Sequence, residues 1–426
     1  MPIRLGKKCL SKDTKEMSTL KFFLVCVYVL SPFVDMYNGY VQQFFDSRTI
    51  VPAVIFKMMI ILFSFRYILR TNKATILLRV FSPLLLFCYL YWESSCYVDD
   101  LIELLRYASK FIYPYSILIV LYVFRRQLNT DTLLHYVLAY GLICAVSILL
   151  SDLLGFSTDS YGEDYGYGVK GLFNAGNDIG LSLILCNCVS AYYIGKGGDA
   201  KYILFNVILL ITSFRIGSVA GMMGAVSVVL VLIMQPFFVR NKYSKNFYRY
   251  KHLLLWAGIP LIVYSVYLIM NTDAYTLEKF NIERLISGGA RAVLAEAFYA
   301  VSSDFTVADG LFGIGSNELF VRIAHYLGLY GTERALEVDH LELIGSFGFI
   351  LGGLLLLYPI FYWLRYINYY VKERDGLSFW MAIAFSLFVF HGIFAGHAFT
   401  SIVAMTVLVA FIFVADKMYY KIDRER

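Results

Sequence analysis

Apolar positions in this chain neither alternate nor recur at amphipathic spacing; they run on. Stretches near 20–38, 50–69, 74–91, 107–124, 133–155, 171–194, 201–213, 216–239, 252–270, 339–364, 378–394 and 397–416 are scarcely broken by charge. A helix of about 20 apolar residues crosses the roughly 30 Å hydrocarbon core of a bilayer. The pattern therefore predicts an all-α integral membrane protein with about twelve transmembrane helices. The short run at 201–213 is expected to form a hairpin with the next. One loop, 271–338, between the ninth and tenth helices, is far longer than the rest. Its amphipathic stretch AVLAEAFYAV and its Gly-rich turn GLFGIGS predict short helices, and ordered loops of such length are commonly functional. Residues 1–426 read as a single polytopic domain.

Composition agrees. Of 426 residues, 59% are hydrophobic and 16% charged, against about 25% charged in a typical soluble protein, and the mean hydropathy is +0.65. Soluble, disordered and collagen-like classes are excluded. The net charge of +6 points to topology rather than to nucleic acid, because the basic residues stand between apolar runs. The short loops of one side hold only Arg48, Arg106, Lys110, Lys170 and Arg215, while the other side takes most of the 37 Lys and Arg residues. By the positive-inside rule both termini are cytoplasmic and the 271–338 loop is outside. The basic N-terminus leads straight into a full-length apolar run and reads as a first anchor. Cys26, Cys88, Cys144, Cys186 and Cys188 lie in apolar runs and read as small packing residues rather than metal ligands.

Depth is the informative feature. Asp35, Lys57, Asp152, Asn174, Asn177, Asp178 and Arg215 fall in or beside apolar runs, all in the outer half of the deduced topology. Ionisable groups are costly in hydrocarbon and face a partner or a wet cavity. Each alone can be a helix-holding pair; together their one-sidedness favours a polar cavity open to the outside. In the outer loop 156–170, Tyr161, Tyr165 and Tyr167 stand among Gly and acidic residues. That surface suits stacking on sugars, with an interfacial aromatic belt as the alternative.

Four segments then stand in order. GLFNAGNDIG (171–180) carries G-x-F-x-x-x-N at a helix opening. TSFRIGSVAGMMG (212–224) places Arg215 before a glycine. SGGARAVLAEAFYAV, followed by LFGIGS (287–316), joins Arg291 to Gly313 and Gly315. DHLELIGSFGFILGG (339–353) runs from His340 into the next helix. With the single large loop, they resemble the O-antigen polymerase and O-antigen ligase superfamily of bacterial envelope glycosyltransferases. Leu341 follows His340 where ligases carry Asn, Ser or Gln, Phe214 replaces a Ser before Arg215, and Gly348 and Gly352 are displaced from ligase spacing. The polymerase branch is favoured.

The resemblance implies a GT-C-like fold in the bacterial inner membrane, with the active site facing the periplasm. It implies an undecaprenyl-diphosphate-linked oligosaccharide as donor, membrane lipids around the chain, and no cofactor. A chain-length regulator and a flippase of the same pathway are candidate partners; nucleic acid is not. Transfer must stabilise a departing diphosphate and remove a proton from the acceptor hydroxyl. Arginine binds phosphate bidentately and is always charged, so Arg215, Arg291, Arg284 and Arg322 are the diphosphate candidates and no metal is expected. Loop salt bridges are the alternative for Arg284 and Arg322. His340 is the first candidate base, with Glu337 or Asp339 next; an acidic helix cap is the alternative. Glu337 and His340 are three apart and share a face if the helix has begun. Asn177, Asp178, Tyr161, Tyr165 and His397 are candidate glycan contacts, although His391 and His397 also suit helix-hairpin packing. A lipid-linked polysaccharide polymerase is the leading reading, a ligase acting on lipid A core the second, and a non-catalytic flippase the third.

Overall fold

The computed structural model describes residues 16–44, 52–68, 101–160, 168–197, 199–239, 289–331 and 334–425. It is almost wholly helical. In hydrocarbon no water is present to take up backbone N–H and C=O groups, so helices are the form a spanning chain of this kind adopts. In order the helices are α1 Glu16–Gln43, α2 Pro52–Ile68, α3 Leu101–Val123, α4 Thr130–Leu153, α5 Gly176–Gly195, α6 Ala200–Ile216 and α7 Val219–Phe238. They are followed by α8 Gly289–Ser302, α9 Val307–Phe312, α10 Ser316–Tyr326, α11 Asp339–Phe347, α12 Gly353–Glu373, α13 Gly376–Phe394 and α14 Ile402–Glu425. A π turn, Gly348–Gly352, joins α11 to α12, and another, Cys26–Leu30, lies inside α1.

Six helical runs among the described residues are long and apolar enough to cross a membrane: α1, α4, α5, α7, the continuous run Asp339–Glu373, and α13. The chain is a multi-pass membrane protein. Of the twelve apolar runs, those near 74–91 and 252–270 lie outside the described residues, and each of the others coincides with a helix. Several helices reach beyond their runs, and three runs are interrupted or open late. The run from 171 opens as strand and loop, with the helix starting at Gly176; the run from 397 opens as an irregular turn, with the helix starting at Ile402; and the run from 339 is broken by the π turn. A short antiparallel ribbon, β1 Thr158–Asp159 with β2 Val169–Gly171, departs from an all-helical chain. Gly168 and Gly171 take positive φ there, and a Cβ on Gly168 would overlap the Ile216 carbonyl, so the ribbon lies flat against the end of α6.

Helix α5 is the centre. Most of its residues are buried, and it packs against α4, α6, α7, α13 and α14. Cys186 and Cys188 are sealed within it as free thiols, and Gly141 of α4 approaches so closely that a Cβ would overlap Cys186. Helices α8, α10 and α11 form a smaller core from Leu294, Ala297, Phe298, Leu319, Ile323, Leu336, Val338 and Leu341. Caps end the helices sharply: Asn129 accepts from the Asp131 N–H, Ser218 from Gly221, and Asp375 from Leu377 and Ser378, each supplying an acceptor to an orphan N–H.

The two ends of the bundle differ. At one, Lys196 pairs with Asp131 at 3.2 Å, Lys417 bonds the Leu128 carbonyl, and Arg365 binds Asp416, which also accepts from Tyr362 at 2.9 Å. The partly buried Arg365–Asp416 pair is a polar knot the apolar pattern gave no reason to expect. The opposite end carries the starts of α5 and α11 and the end of α13.

The glycines of the loop are docking points. Ile314 and Gly315 donate to the carbonyls of Gly345 and Ser346, both at 3.0 Å. A Cβ on Gly313 would overlap the Ser346 carbonyl, and one on Gly348 the Leu311 carbonyl. Gly348 has φ 69 and ψ 177, a region nearly closed to other residues. Gly353, five residues on, has helical angles and open space around it. In thermal unfolding of detergent-purified protein, Gly348→Ala is expected to lose roughly 1–3 kcal/mol from overpacking. Gly353→Ala is expected to be neutral or to gain about 0.5–1 kcal/mol.

Candidate functional site

The turn between α13 and α14 is held by a carboxylate. Asp339, fully buried at the start of α11, accepts the backbone N–H groups of His397 at 2.6 Å, Ala398 at 2.6 Å and Phe399 at 2.9 Å. On its flank, Gly396 takes φ 70, and a Cβ there would overlap the Glu337 carbonyl. Glu337 at φ 38 and His397 at φ 60 are both in the left-handed region, which non-glycine residues occupy only when their surroundings impose it. The strap before α11 and the turn after α13 thus lock each other, and His397 is presented from a rigid frame.

Around that turn the ionisable groups gather. Asp178, in the first turn of α5, hydrogen-bonds Ser401 and lies within electrostatic reach of His397, Lys110 and Lys57. Lys57 of α2 pairs with Asp35 of α1 at 2.7 Å, both largely buried. His391, near the end of α13, lies within reach of His397 and of Arg291, the third residue of α8. The Nε of Arg291 and the Nε2 of His391 are buried with no hydrogen-bond partner. Such groups normally find one, which makes these two candidates for a role in a ligand site. Groups from α1, α2, α3, α5, α8, α11 and α13 therefore converge on one end of the bundle.

The predicted residues divide accordingly. The fold brings together Asp178, Arg291, His397 and Asp339, with Asn177 half-buried beside Asp178. Asp339 serves as a clamp: its oxygens accept three N–H groups and it is buried. Glu337 pairs with Arg334 at 3.3 Å. His340 is half-buried, with its Nδ1 sealed and unpartnered. Leu341, next to it, belongs to the small apolar core of the loop. Arg215 sits on the rim, bound to Asp152 through Nε at 2.9 Å and Nη2 at 2.5 Å. Nearby, half-burial pulls the Lys170 ammonium below the usual lysine range, against the opposing charge of Asp159. Arg322 is in an exposed pair with Glu318 at 2.7 Å along α10, apart from the cluster. Tyr161, Tyr165 and Arg284 lie outside the described residues.

Sequence reasoning passed over Lys110 and Ser401, and for His391 ranked hairpin packing above an acceptor contact. Lys110 read as a topology marker. Ser401 carried no signal at all, since its place beside Asp178 depends on how α14 meets α5.

Fold and site define a polytopic, all-α membrane protein with a polar cluster at one end. A family model described as O-antigen ligase like membrane protein matches residues 17–285, and the chain belongs to that family. The matched stretch contains Asp178 and Arg215; Arg291, Asp339 and His397 lie beyond it. No curated protein matches the chain.

Asp339→Asn keeps the size and removes the charge, and its amide would face donors. It is expected to lower unfolding stability by roughly 1.5–3 kcal/mol, the range for a hydrogen bond to a charged group. Thermal melts in detergent read this directly.

Proposed function

We propose that the protein is a glycosyltransferase of polysaccharide-polymerase type, joining lipid-diphosphate-linked repeat units at the end of the bundle that holds His397. The observation that carries this reading is the convergence of Asp178, His397, His391 and Arg291, with an unpartnered guanidinium nitrogen, on one end of a membrane bundle. Family membership points to glycosyltransferase-type chemistry. The acceptor hydroxyl oxygen forms a bond to the anomeric carbon of the donor while the bond to the diphosphate oxygen breaks. The hydroxyl proton passes to His397, which Asp178 and Asp339 orient from two sides. Undecaprenyl diphosphate leaves as the anion, with its growing charge met by the Arg291 guanidinium. Such a donor aimed at developing charge acts chiefly on the transition state. One base is enough for a single inverting displacement; a retaining path needs a nucleophile as well. Leu341, an apolar core position, supports a polymerase over a ligase.

The basic end of the bundle supports a cytoplasmic location for it and a periplasmic one for the site, with both termini cytoplasmic and twelve spans in the inner membrane. Cysteines introduced at Arg126 and at Ser303 are expected to react with membrane-impermeant thiol reagents from opposite sides, Ser303 from outside. Labelling of Ser303 only from within would reverse the orientation.

The functional test is incubation of purified protein with a lipid-linked repeat unit. A ladder of products is expected, unaffected by a chelator; transfer only onto lipid A core would mean a ligase, and no transfer a transporter. Arg291→Ala is expected to cost about 10²–10³-fold and His397→Ala about 10²–10⁴-fold in turnover. Arg215→Ala, which removes a guanidinium already bound to Asp152, is expected to cost less than Arg291→Ala. His340, with its sealed and unpartnered Nδ1, is the second candidate base; a dead His340→Ala beside an active His397→Ala would transfer the role to it.

A further inference from the structure

Helix α9 turns an apolar surface away from the protein. Val307 is 81% exposed and Phe312 46%, with Leu311 exposed beside them. These side chains belong to no core, yet the backbone carrying them is fixed: α9 packs on the π turn Gly348–Gly352, with the Leu311 carbonyl against Gly348 and Gly313 against the Ser346 carbonyl. In the same membrane run, Phe349 is 65% exposed, followed by exposed Ile350, Leu354 and Leu357. On a helix of a membrane-spanning run, exposed residues of this kind face acyl chains.

Helix length sets the height of this surface. The run Asp339–Glu373 has 35 residues, well beyond the about 20 that cross the hydrocarbon. Its basic end carries Lys372 and Arg374. Counted back from Tyr369 at about 1.5 Å per residue, roughly 20 residues reach Phe349. The adjacent α13 has 19 residues and ends with exposed Phe390, Ile393 and Phe394. Both helices place the π turn at the border of the hydrocarbon, so α9, packed on that turn, lies at the border too. Its chemistry fits. Residues 306–313 contain no Lys or Arg, and the one carboxylate, Asp309, is held in a capping box by the Thr306 N–H at 2.9 Å and hydroxyl at 2.7 Å.

We propose that α9 is an interfacial helix seated among the headgroups and upper acyl chains of the bilayer, with Val307, Leu311 and Phe312 extending the lipid-facing stripe of Phe349, Ile350 and Leu354. Its partner is the membrane lipid itself. Amphipathic segments bind interfaces through buried apolar area. Because α9 stands between α8 and α10, this seat holds the loop that carries Arg291 at a set height over the membrane. The inference rests on the membrane reading and not on the chemistry of the site.

Tryptophan depth measurement tests it on the full chain in lipid vesicles. The chain has four native tryptophans, so the emission of wild-type protein is subtracted. Val307→Trp changes a side chain with almost no packing, and Phe312→Trp gives a second, independent probe. In vesicles of phospholipid brominated on the acyl chains, the added emission of both variants is expected to be lost, and aqueous iodide is expected to leave it unchanged. Quenching by iodide without quenching by brominated lipid would place α9 in water. Protection from both would mean that protein, a second copy included, covers it. Either result overturns the proposal.

Discussion

The arrangement of the candidate site depends on one carboxylate. Asp339 gathers three consecutive backbone N–H groups from the turn at 397–399. In a buried setting the loss of an acceptor shared by several N–H groups leaves them unsatisfied together. That is why His397 can be held at a positive φ and why Gly396 can lie directly against the Glu337 carbonyl. The clamp ties two pieces of chain that are remote in sequence: the entry to α11 and the turn that joins α13 to α14.

The loop core transmits that constraint. Helices α8 and α10 pack on α11 through Leu294, Phe298, Leu319, Ile323 and Leu341, and the glycine turn at 313–315 donates to carbonyls at the end of α11. Glycines whose spacing suggested a family motif therefore serve close backbone approach. Arg291 projects from the first turn of α8 and inherits its position from this packing. The same helix that carries the clamp thus fixes both the arginine and the histidine of the cluster, and a shift in α11 would move them together.

Charge within the bundle follows the same economy of partners. Lys57 is paired with Asp35, Arg365 with Asp416 and Arg215 with Asp152. Pairing is what permits ionisable groups in or beside hydrocarbon. Against that background the buried nitrogens of Arg291 and His391 have no hydrogen-bond partner, and they occur where the polar residues converge.

From sequence alone, the helical class, the membrane location and most helix positions were legible. They follow from local hydropathy and from the rule that backbone groups must be satisfied within a spanning segment, and neither needs knowledge of neighbours. Asp178 and His397 were also legible as candidates, because a charged or titratable residue at the end of an apolar run is conspicuous wherever it ends up, and Arg291 was legible through the family resemblance of the segment 287–316. Their association was not. Asp178 meets Ser401 and His397 across more than 200 residues of chain, and Asp339 meets His397 across 58. Such contacts depend on which helices pack side by side, and a hydropathy pattern is silent on that. For the same reason Asp339 stood among the candidate bases, with nothing local to reveal the three N–H groups that occupy it, and Arg215 could be read as a helix-holding pair or a diphosphate ligand, with nothing local to name Asp152 as its partner. Hydrophobic runs determined which segments form helices; only the packing of those helices decided which polar groups are held in pairs and which are left open to a ligand.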